Sequence, residues 1–153
     1  MKKKKILLII TGSIAAYKSL YLIRILQDAG FDLNCIITKS AEKFITSLTV
    51  SSLLGNKVYN DLFSLDDETE MGHIKLAKEN DLIIVAPASA NFISKISHGL
   101  ADDLASSVML ATKLPTFIFP AMNSSMLNNF FTKNNFMRLK QAGIKVFGTE
   151  SGE

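Results

Sequence analysis

The stretch Asp81-Leu82-Ile83-Ile84-Val85-Ala86-Pro87-Ala88-Ser89-Ala90-Asn91 decides the fold of this chain. Its apolar half is short, rich in β-branched residues and unbroken, which is typical of a strand buried on both faces of a parallel sheet. Pro87 has no N–H group to donate to a sheet, so the strand is predicted at residues 82–86. Ser89 and Asn91 then follow the carboxyl end of a strand, the edge at which open α/β sheets bind ligands.

Other apolar runs alternate with helical patterns on both sides of this stretch. Strands are predicted at residues 6–10, 33–38, 58–59, 116–119 and 144–147. Helices are predicted at residues 14–29, 41–54 (with Ser40 as the cap), 74–78, 92–111 (broken near Gly99) and 132–142, with polar connections at residues 60–71 and 123–129. This alternation predicts an α/β fold, a Rossmann-like or flavodoxin-like doubly wound parallel sheet of about six strands with flanking helices. If the strand order is the common 3-2-1-4-5-6, Gly12 lies beside Ser89 in one crevice.

The composition excludes several classes of function. The chain has 153 residues, 48% hydrophobic and 20% charged, which predicts one folded domain over residues 1–153. The net charge of +3 depends on the run Lys2 to Lys5, so a nucleic-acid partner is not expected. The single cysteine, Cys35, fits a reducing cytosol, and no apolar run approaches the roughly 20 residues of a membrane helix. The protein is therefore expected to be soluble and cytoplasmic.

Small polar residues follow the first two predicted strands. The turn Thr11-Gly12-Ser13 lacks the full G-x-G-x-x-G pattern, but a glycine, a hydroxyl and a helix N-terminus suit a single phosphate. The alternative is an ordinary strand-to-helix turn with a serine cap. Thr38 and Ser40 offer further hydroxyls to a phosphate, or else cap the helix that follows them.

Two polar side chains are candidates for chemistry. His73 is predicted at the start of a short helix, where the helix dipole favours the neutral imidazole, a competent base. Asn123 follows the strand at residues 116–119 and reaches the same crevice as an amide donor and acceptor. The alternatives are an exposed loop histidine and a turn asparagine. Two histidines and one cysteine give no metal-ligand spacing, so no metal site is expected.

Five motifs occur in this order: GSIAAYK at residues 12–18, HIxLA at 73–77, APASAN at 86–91, GLADDL at 99–104 and PAMN at 120–123. Together they resemble the homo-oligomeric flavin-containing cysteine decarboxylases over essentially all 153 residues. The resemblance is greatest to the branch that acts on phosphopantothenoylcysteine, often the amino-terminal half of a bifunctional coenzyme A biosynthesis protein.

The resemblance implies an FMN-dependent enzyme that converts 4′-phospho-N-pantothenoyl-L-cysteine to 4′-phosphopantetheine. It implies a homo-trimer or dodecamer with FMN between subunits, and a fused or separate phosphopantothenoylcysteine synthetase. His73 would be the catalytic base and Asn123 would orient the substrate carboxylate, with Ala121 and Met122 beside it. The implied FMN-binding residues are Gly12, Ser13, Ile14, Thr38, Ser40, Pro87, Ala88, Ser89, Asn91, Ser106 and Ser107.

Two departures from the family pattern leave alternatives open. Leu127 stands where the family usually has an aromatic residue after Met126, and residues 150–153 end before the family's cysteine-containing flap. That cysteine donates a proton in the final reduction, so the expectation includes an enzyme limited to oxidation and decarboxylation. The alternatives are a peptidyl-cysteine decarboxylase and a non-catalytic FMN-binding or regulatory subunit of the same fold.

Overall fold

The structure, a computed structural model, describes residues 2–60 and 69–148, and at residues 69–71 it describes the backbone alone. The described chain contains a six-stranded sheet in which every neighbouring pair is parallel. The spatial order is β3-β2-β1-β4-β5-β6, which confirms the assumed order. The strands are β1 (Lys5–Ile10), β2 (Asp32–Ile37), β3 (Val58–Tyr59), β4 (Leu82–Ala88), β5 (Thr116–Pro120) and β6 (Lys145–Val146).

Helices connect the strands and cover both faces of the sheet. They are α1 (Lys18–Asp28), α2 (Ser47–Leu54), α3 (Thr69–Glu79), α4 (Ala90–Ser97), α5 (Leu104–Ala111), α6 (Ser124–Leu127) and α7 (Phe130–Gln141), with 3₁₀ turns at Ile14–Tyr17 and Ala41–Lys43. None of the helices in the described part of the chain has the length and apolar character needed to cross a membrane.

The two faces of β1 build two separate cores. Leu7 and Ile9 belong to one cluster with residues of α3, α4, α5 and α7, such as Leu76, Phe92 and Leu139. Ile6, Leu8 and Ile10 belong to the other cluster, with residues of α1 and α2. Because successive side chains of a strand point to opposite faces, an unbroken apolar run fills both cores at once. The predicted doubly wound α/β fold is thereby confirmed.

The topological switch lies where β1 is flanked by β2 and β4. Thr11, directly after β1, joins the two neighbouring turns. Its backbone N–H and its hydroxyl both donate to the Pro87 carbonyl oxygen, at 3.2 and 2.7 Å. The predicted meeting of the 11–13 turn with residues 87–91 is confirmed, and both the backbone and the side chain of Thr11 make the contact.

The prediction that Pro87 ends the central strand is wrong. The strand continues to Ala88, with an irregular register between Val85 and Ala88, and the Ala86–Pro87 peptide bond is cis. Sheet pairing continues because the neighbours use carbonyl oxygens on this segment. The Pro87 oxygen accepts from Thr11, and the Ala88 oxygen accepts from the Ala121 N–H at 3.0 Å. A proline lacks a donor but keeps its acceptor.

Two predicted helices have different boundaries. The helix predicted at residues 41–54 is divided into the Ala41–Lys43 turn and α2, because the Thr46 hydroxyl accepts from the Thr49 N–H at 3.1 Å and starts a new helix. Ser40 makes no side-chain cap. The helix predicted at residues 74–78 begins earlier, at Thr69, so the end of the predicted 60–71 loop is helical. Residues 61–68 of that loop lie outside the described residues.

Candidate functional site

A cavity of about 560 Å³ opens at the carboxyl ends of β1, β2 and β4. This volume is within the range of small-ligand sites, and the position is the topological switch at which such folds bind ligands. One wall follows the β1 and β2 strands and the other belongs to the α4–α5 region. The lining residues are Thr11, Gly12, Ile36, Thr38, Lys39, Ser40, Glu42, Asn60, Ser89, Asn91, Phe92, Lys95, Asp102, Asp103 and Ala105.

Gly12 packs closely against Ser40 in the first wall. A β-carbon built on Gly12 would lie 2.5 Å from the Ser40 Cβ and 3.0 Å from its carbonyl carbon. Only glycine fits there without moving the turn after β2. Since no side chain covers Gly12, its backbone remains accessible to a ligand such as a phosphate.

The hydroxyls of Thr38, in the first wall, and of Ser13, which follows Gly12 outside the lining, carry structural hydrogen bonds. The Ser13 Oγ accepts from the Ala15 N–H at 3.0 Å, so the alternative of a serine cap is present. The Thr38 Oγ1 accepts from the Ala41 N–H at 3.2 Å. Both hydroxyls are used as acceptors and keep a proton to donate. Ser40 has no such cap, is exposed, and lines the cavity.

The second wall begins with the turn between β4 and α4. The Ser89 N–H donates to the Thr11 hydroxyl at 2.8 Å, and the Ser89 Oγ accepts from the Phe92 N–H at 3.1 Å. Ser89 is therefore held on both sides as the N-cap of α4. Asn91 is exposed on the first turn of that helix and lines the cavity, so its amide can contact a ligand there.

An ion cluster in the second wall was not predicted from the sequence. The Lys95 Nζ lies 2.6 Å from an Asp102 carboxylate oxygen and 3.4 Å from an Asp103 oxygen, and the Lys95 side chain is only 16% exposed. Burial by itself lowers the pKa of Lys95, but the hydrogen bond to Asp102 and the charges of both carboxylates outweigh it, so the pKa is raised. The hydrogen bond from Lys95 holds the pKa of Asp102 below its usual value. We find no periodic sequence signal that joins these residues, because Gly99 turns the chain between them.

Two predicted FMN-binding residues on α5, Ser106 and Ser107, are not lining residues of the cavity. Ser106 is fully buried, and it forms a capping box with Asp103, which caps α5. Its Oγ accepts from the Asp102 and Asp103 N–H groups at 3.1 and 3.2 Å. Ser106 therefore shapes the acidic loop from behind, and neither it nor Ser107 is among the lining residues.

The P-A-M-N segment lies next to the cavity turn. The Ala121 N–H donates to the Ala88 carbonyl oxygen, and Met122 packs against the core. Asn123 is exposed and caps α6, its Oδ1 accepting from the Met126 N–H at 2.9 Å. The segment predicted as a polar connection thus contains a short helix. Because the cap uses the amide oxygen, the amide N–H₂ group of Asn123 is the part that can donate to a carboxylate.

His73 lies in the middle of α3 and not at a helix start. The predicted effect of the helix dipole on its imidazole therefore does not apply, since that effect is confined to the first turn. The Nδ1 atom of His73 is buried without a hydrogen-bond partner among the described residues. A buried nitrogen without a partner is costly and is a candidate for a functional group.

The cavity brings together part of the predicted site. It unites Gly12, Thr38, Ser40, Ser89 and Asn91, whereas the lining of a single chain does not include Ser13, Ile14, His73, Pro87, Ala88, Ser106, Ser107, Ala121, Met122 or Asn123. Sequence reasoning missed Ile36, Lys39, Glu42, Asn60, Phe92, Lys95, Asp102, Asp103 and Ala105 as lining residues. Among residues 2–60 and 69–148, no three His, Cys, Asp or Glu side chains are grouped as metal ligands.

The fold and the cavity at its switch point define an α/β protein of the mononucleotide-binding class. The Flavoprotein family matches residues 1–152, and the chain belongs to that family. The chain is 44% identical to the coenzyme A biosynthesis bifunctional protein CoaBC of Haemophilus influenzae, over 97% of this chain and 37% of that protein. It is also 44% identical to a probable phosphopantothenoylcysteine decarboxylase of Streptococcus mutans, over 97% of this chain and 84% of that protein. The chain thus spans little more than a third of the bifunctional relatives.

Solved structures of cysteine decarboxylases have the same fold. The FMN-dependent cysteine decarboxylase SpaF is 25% identical, with a TM-score of 0.87 over 94% of this chain and 82% of SpaF. A C175S mutant of a PPC decarboxylase, complexed with pantothenoylaminoethenethiol, is 31% identical, with a TM-score of 0.81 over 95% of this chain and 82% of its own. The peptidyl-cysteine decarboxylase EpiD has the same identity and TM-score, over 96% and 87%.

Proposed function

We propose that this chain binds FMN in the cavity and decarboxylates the cysteine group of 4′-phospho-N-pantothenoyl-L-cysteine, a step of coenzyme A biosynthesis. The observation that carries the proposal is the bare Gly12 backbone, packed against Ser40 in a cavity of about 560 Å³ at the switch point. The substrate is proposed from the similarity to the Streptococcus mutans protein, which this chain covers over 84% of its length.

The residues of the cavity fit FMN. The turn after β1 leaves backbone N–H groups and the Ser13, Thr38 and Ser40 hydroxyls for the phosphate. Ser89 and Asn91 form the polar edge of the second wall, where a flavin ring and its hydroxylated chain would lie. Bound FMN supplies a two-electron acceptor, which creates the electron sink that loss of CO₂ from the cysteine group requires.

Proton transfer and substrate orientation are assigned to residues outside this lining. We propose His73 as the base, because its imidazole has a buried nitrogen with no hydrogen-bond partner among the described residues. Asn123 donates its amide N–H₂ group to the substrate carboxylate, with its oxygen fixed by the α6 cap and with Ala121 and Met122 as neighbours. The Ala121–Ala88 hydrogen bond keeps this segment against the turn that lines the cavity.

Since the lining of one chain lacks His73 and Asn123, we propose that FMN lies between subunits of a homo-trimer, alone or assembled into a dodecamer. An apolar stripe on the first helical segment supports an oligomer: Ile14 is 80% exposed and Tyr21 65% exposed, with Tyr17 and Ile25 on the same side. The bifunctional relatives favour a fused or separate synthetase that makes the substrate, and their biosynthetic role favours the cytoplasm.

The test combines two readouts on the purified chain. A flavin absorbance band in the protein fraction would support FMN binding, and the loss of CO₂ from phosphopantothenoylcysteine, followed by mass, would support the reaction. A peptide with a carboxyl-terminal cysteine is the comparison substrate, because EpiD and the PPC decarboxylase are equally similar in structure. Turnover of the peptide alone would replace the proposed substrate. Bound FMN without turnover of either substrate would indicate a binding or regulatory subunit.

A further inference from the structure

The charges of the cavity do not match a simple anion site. Its lining contains the ammonium groups of Lys39 and Lys95 but the carboxylates of Glu42, Asp102 and Asp103. Formal counting thus leaves one excess negative charge around a site that is proposed to hold a phosphate. The orientation of the ligand must therefore depend on where each charge lies in the cavity, and not on the net charge of the lining.

The excess negative charge is fixed in the α4–α5 wall. Lys95 is held by both Asp102 and Asp103, so it offers no uncompensated positive charge to a ligand. Asp103 is in turn fixed by the Ser106 N–H at 2.9 Å. The cluster Lys95–Asp102–Asp103 carries a net charge of −1, with Lys95 on α4 and Asp103 as the N-cap of α5.

The opposite wall has no net charge. Gly12 offers backbone and Thr38 and Ser40 offer hydroxyls, while the formal charges of Lys39 and Glu42 cancel. Because like charges repel, the α4–α5 wall disfavours a phosphate, whereas N–H and hydroxyl groups at the Gly12 turn can donate hydrogen bonds to one.

We propose that the Lys95–Asp102–Asp103 cluster is a positioning and selectivity element, which turns the phosphate end of the flavin toward Gly12 and sets how strongly the cavity prefers a phosphorylated over an uncharged flavin. This inference rests on the proposed FMN function. It assigns the three residues to electrostatic selection and not to covalent chemistry. A role in folding alone would change the affinity for both ligands in parallel.

The experiment measures the dissociation constants of FMN and riboflavin, which differ by a phosphate of about −1.5 to −2 charge near pH 7. Lys95→Met makes the cluster −2, and the preference for FMN over riboflavin should fall by about three- to tenfold. Asp102→Asn makes it neutral, and the preference should rise by a similar factor. Asp102 is well exposed, with 67% of its side chain accessible, so this variant should fold.

The double variant Lys95→Met/Asp102→Asn separates charge from structure. It restores the net charge of −1 without the ion pair, so its FMN-to-riboflavin ratio should return to that of the unmodified chain. Lys113→Met and Asp28→Asn, which change exposed charges outside the lining, are the matched controls and should leave the ratio unchanged.

The outcomes are distinct. Failure of the unmodified chain to bind FMN overturns the proposed function itself. Binding of FMN with a ratio that does not respond to the two single variants, or that the double variant fails to restore, overturns the electrostatic role. A higher ionic strength should reduce the shifts, since screening weakens interactions between charges.

Discussion

The Thr11 hydroxyl oxygen accepts a hydrogen bond from the Ser89 N–H at 2.8 Å, across 78 positions of sequence. The same hydroxyl donates to the Pro87 carbonyl oxygen at 2.7 Å, and Thr11 is only 1% exposed. One buried side chain therefore joins the turn that carries Gly12 to the turn that carries Asn91. The two walls of the cavity are held together by this contact.

Replacing Thr11 with valine should cost about 2–3 kcal/mol in the free energy of unfolding, because two buried hydrogen bonds are lost and the Ser89 N–H is left without its partner. Thr11→Ser keeps the hydroxyl and loses one methyl group, so it should cost about 1 kcal/mol. Chemical denaturation measures both. A valine variant that is as stable as the serine variant would contradict the role of the hydroxyl, since valine is the closer match in shape.

Gly12→Ala should weaken FMN binding by at least about tenfold, because the new β-carbon would lie 2.5 Å from the Ser40 Cβ and would displace the cavity wall. The measurement is titration of the chain with FMN by flavin absorbance. Gly72→Ala is the matched control, since a β-carbon there would meet no atom of the described residues within 4 Å. The double variant Gly12→Ala/Ser40→Gly removes the 2.5 Å contact but keeps the approach to the residue 40 carbonyl carbon at 3.0 Å, so it should recover only part of the affinity. Unchanged FMN affinity in Gly12→Ala would contradict the steric role of Gly12.

His73→Asn should lower the rate of decarboxylation by about 10² to 10⁴-fold, while FMN stays bound. Intact flavin absorbance together with absent CO₂ release would show that the base is missing and that the cofactor is still bound. His98→Asn is the control, because the His98 ring is exposed and its Nδ1 is bonded to the Ser94 carbonyl oxygen at 2.8 Å. Turnover that survives in the His73 variant would refute the assignment.

Asn123→Asp should leave the fold intact and strongly reduce turnover. An aspartate caps a helix as well as an asparagine, so the bond from the Met126 N–H is preserved. The amide donor is lost, however, and a negative charge would face the substrate carboxylate. The thermal midpoint and steady-state kinetics measure the two effects. Unchanged kinetics would show that Asn123 acts only as the α6 cap.

The buried thiol of Cys35 leads us to expect that the free energy of unfolding falls at alkaline pH. Burial raises the pKa of the Cys35 thiol above its ordinary value of 9.0, so the folded chain keeps the proton after the unfolded chain has lost it. The unfolded state then binds fewer protons, and the free energy of unfolding falls above pH 9 by up to about 1.4 kcal/mol per pH unit. In Cys35→Ala this component of the slope should be absent. Equal slopes of the free energy of unfolding against pH between pH 9 and 10, in the unmodified chain and in Cys35→Ala, would contradict this prediction.

Much of the fold follows from local sequence patterns. The unbroken run of β1 predicts burial on both faces, and all five residues from Ile6 to Ile10 are at most 2% exposed. Gly30, Gly55 and Gly143 mark helix ends with positive φ angles. These features are local because they depend on the side-chain period and on glycine's access to left-handed backbone. The prediction that the strand ends at Pro87 was wrong because the sequence does not show which neighbouring residue donates a hydrogen bond to a carbonyl oxygen of this segment.

The functional site also combines features that follow from the sequence with features that only the fold decides. The sequence by itself determined the residue types after each strand, which make Gly12, Ser40, Ser89 and Asn91 candidates without knowledge of any contact. Only the tertiary structure decided that Gly12 must stay bare against Ser40, that Lys95 is neutralised by Asp102 and Asp103, and that His73 lies within a helix. The physical reason is range: strand and turn preferences act between near neighbours in sequence, whereas steric fit and charge pairing act between residues that the fold alone brings together.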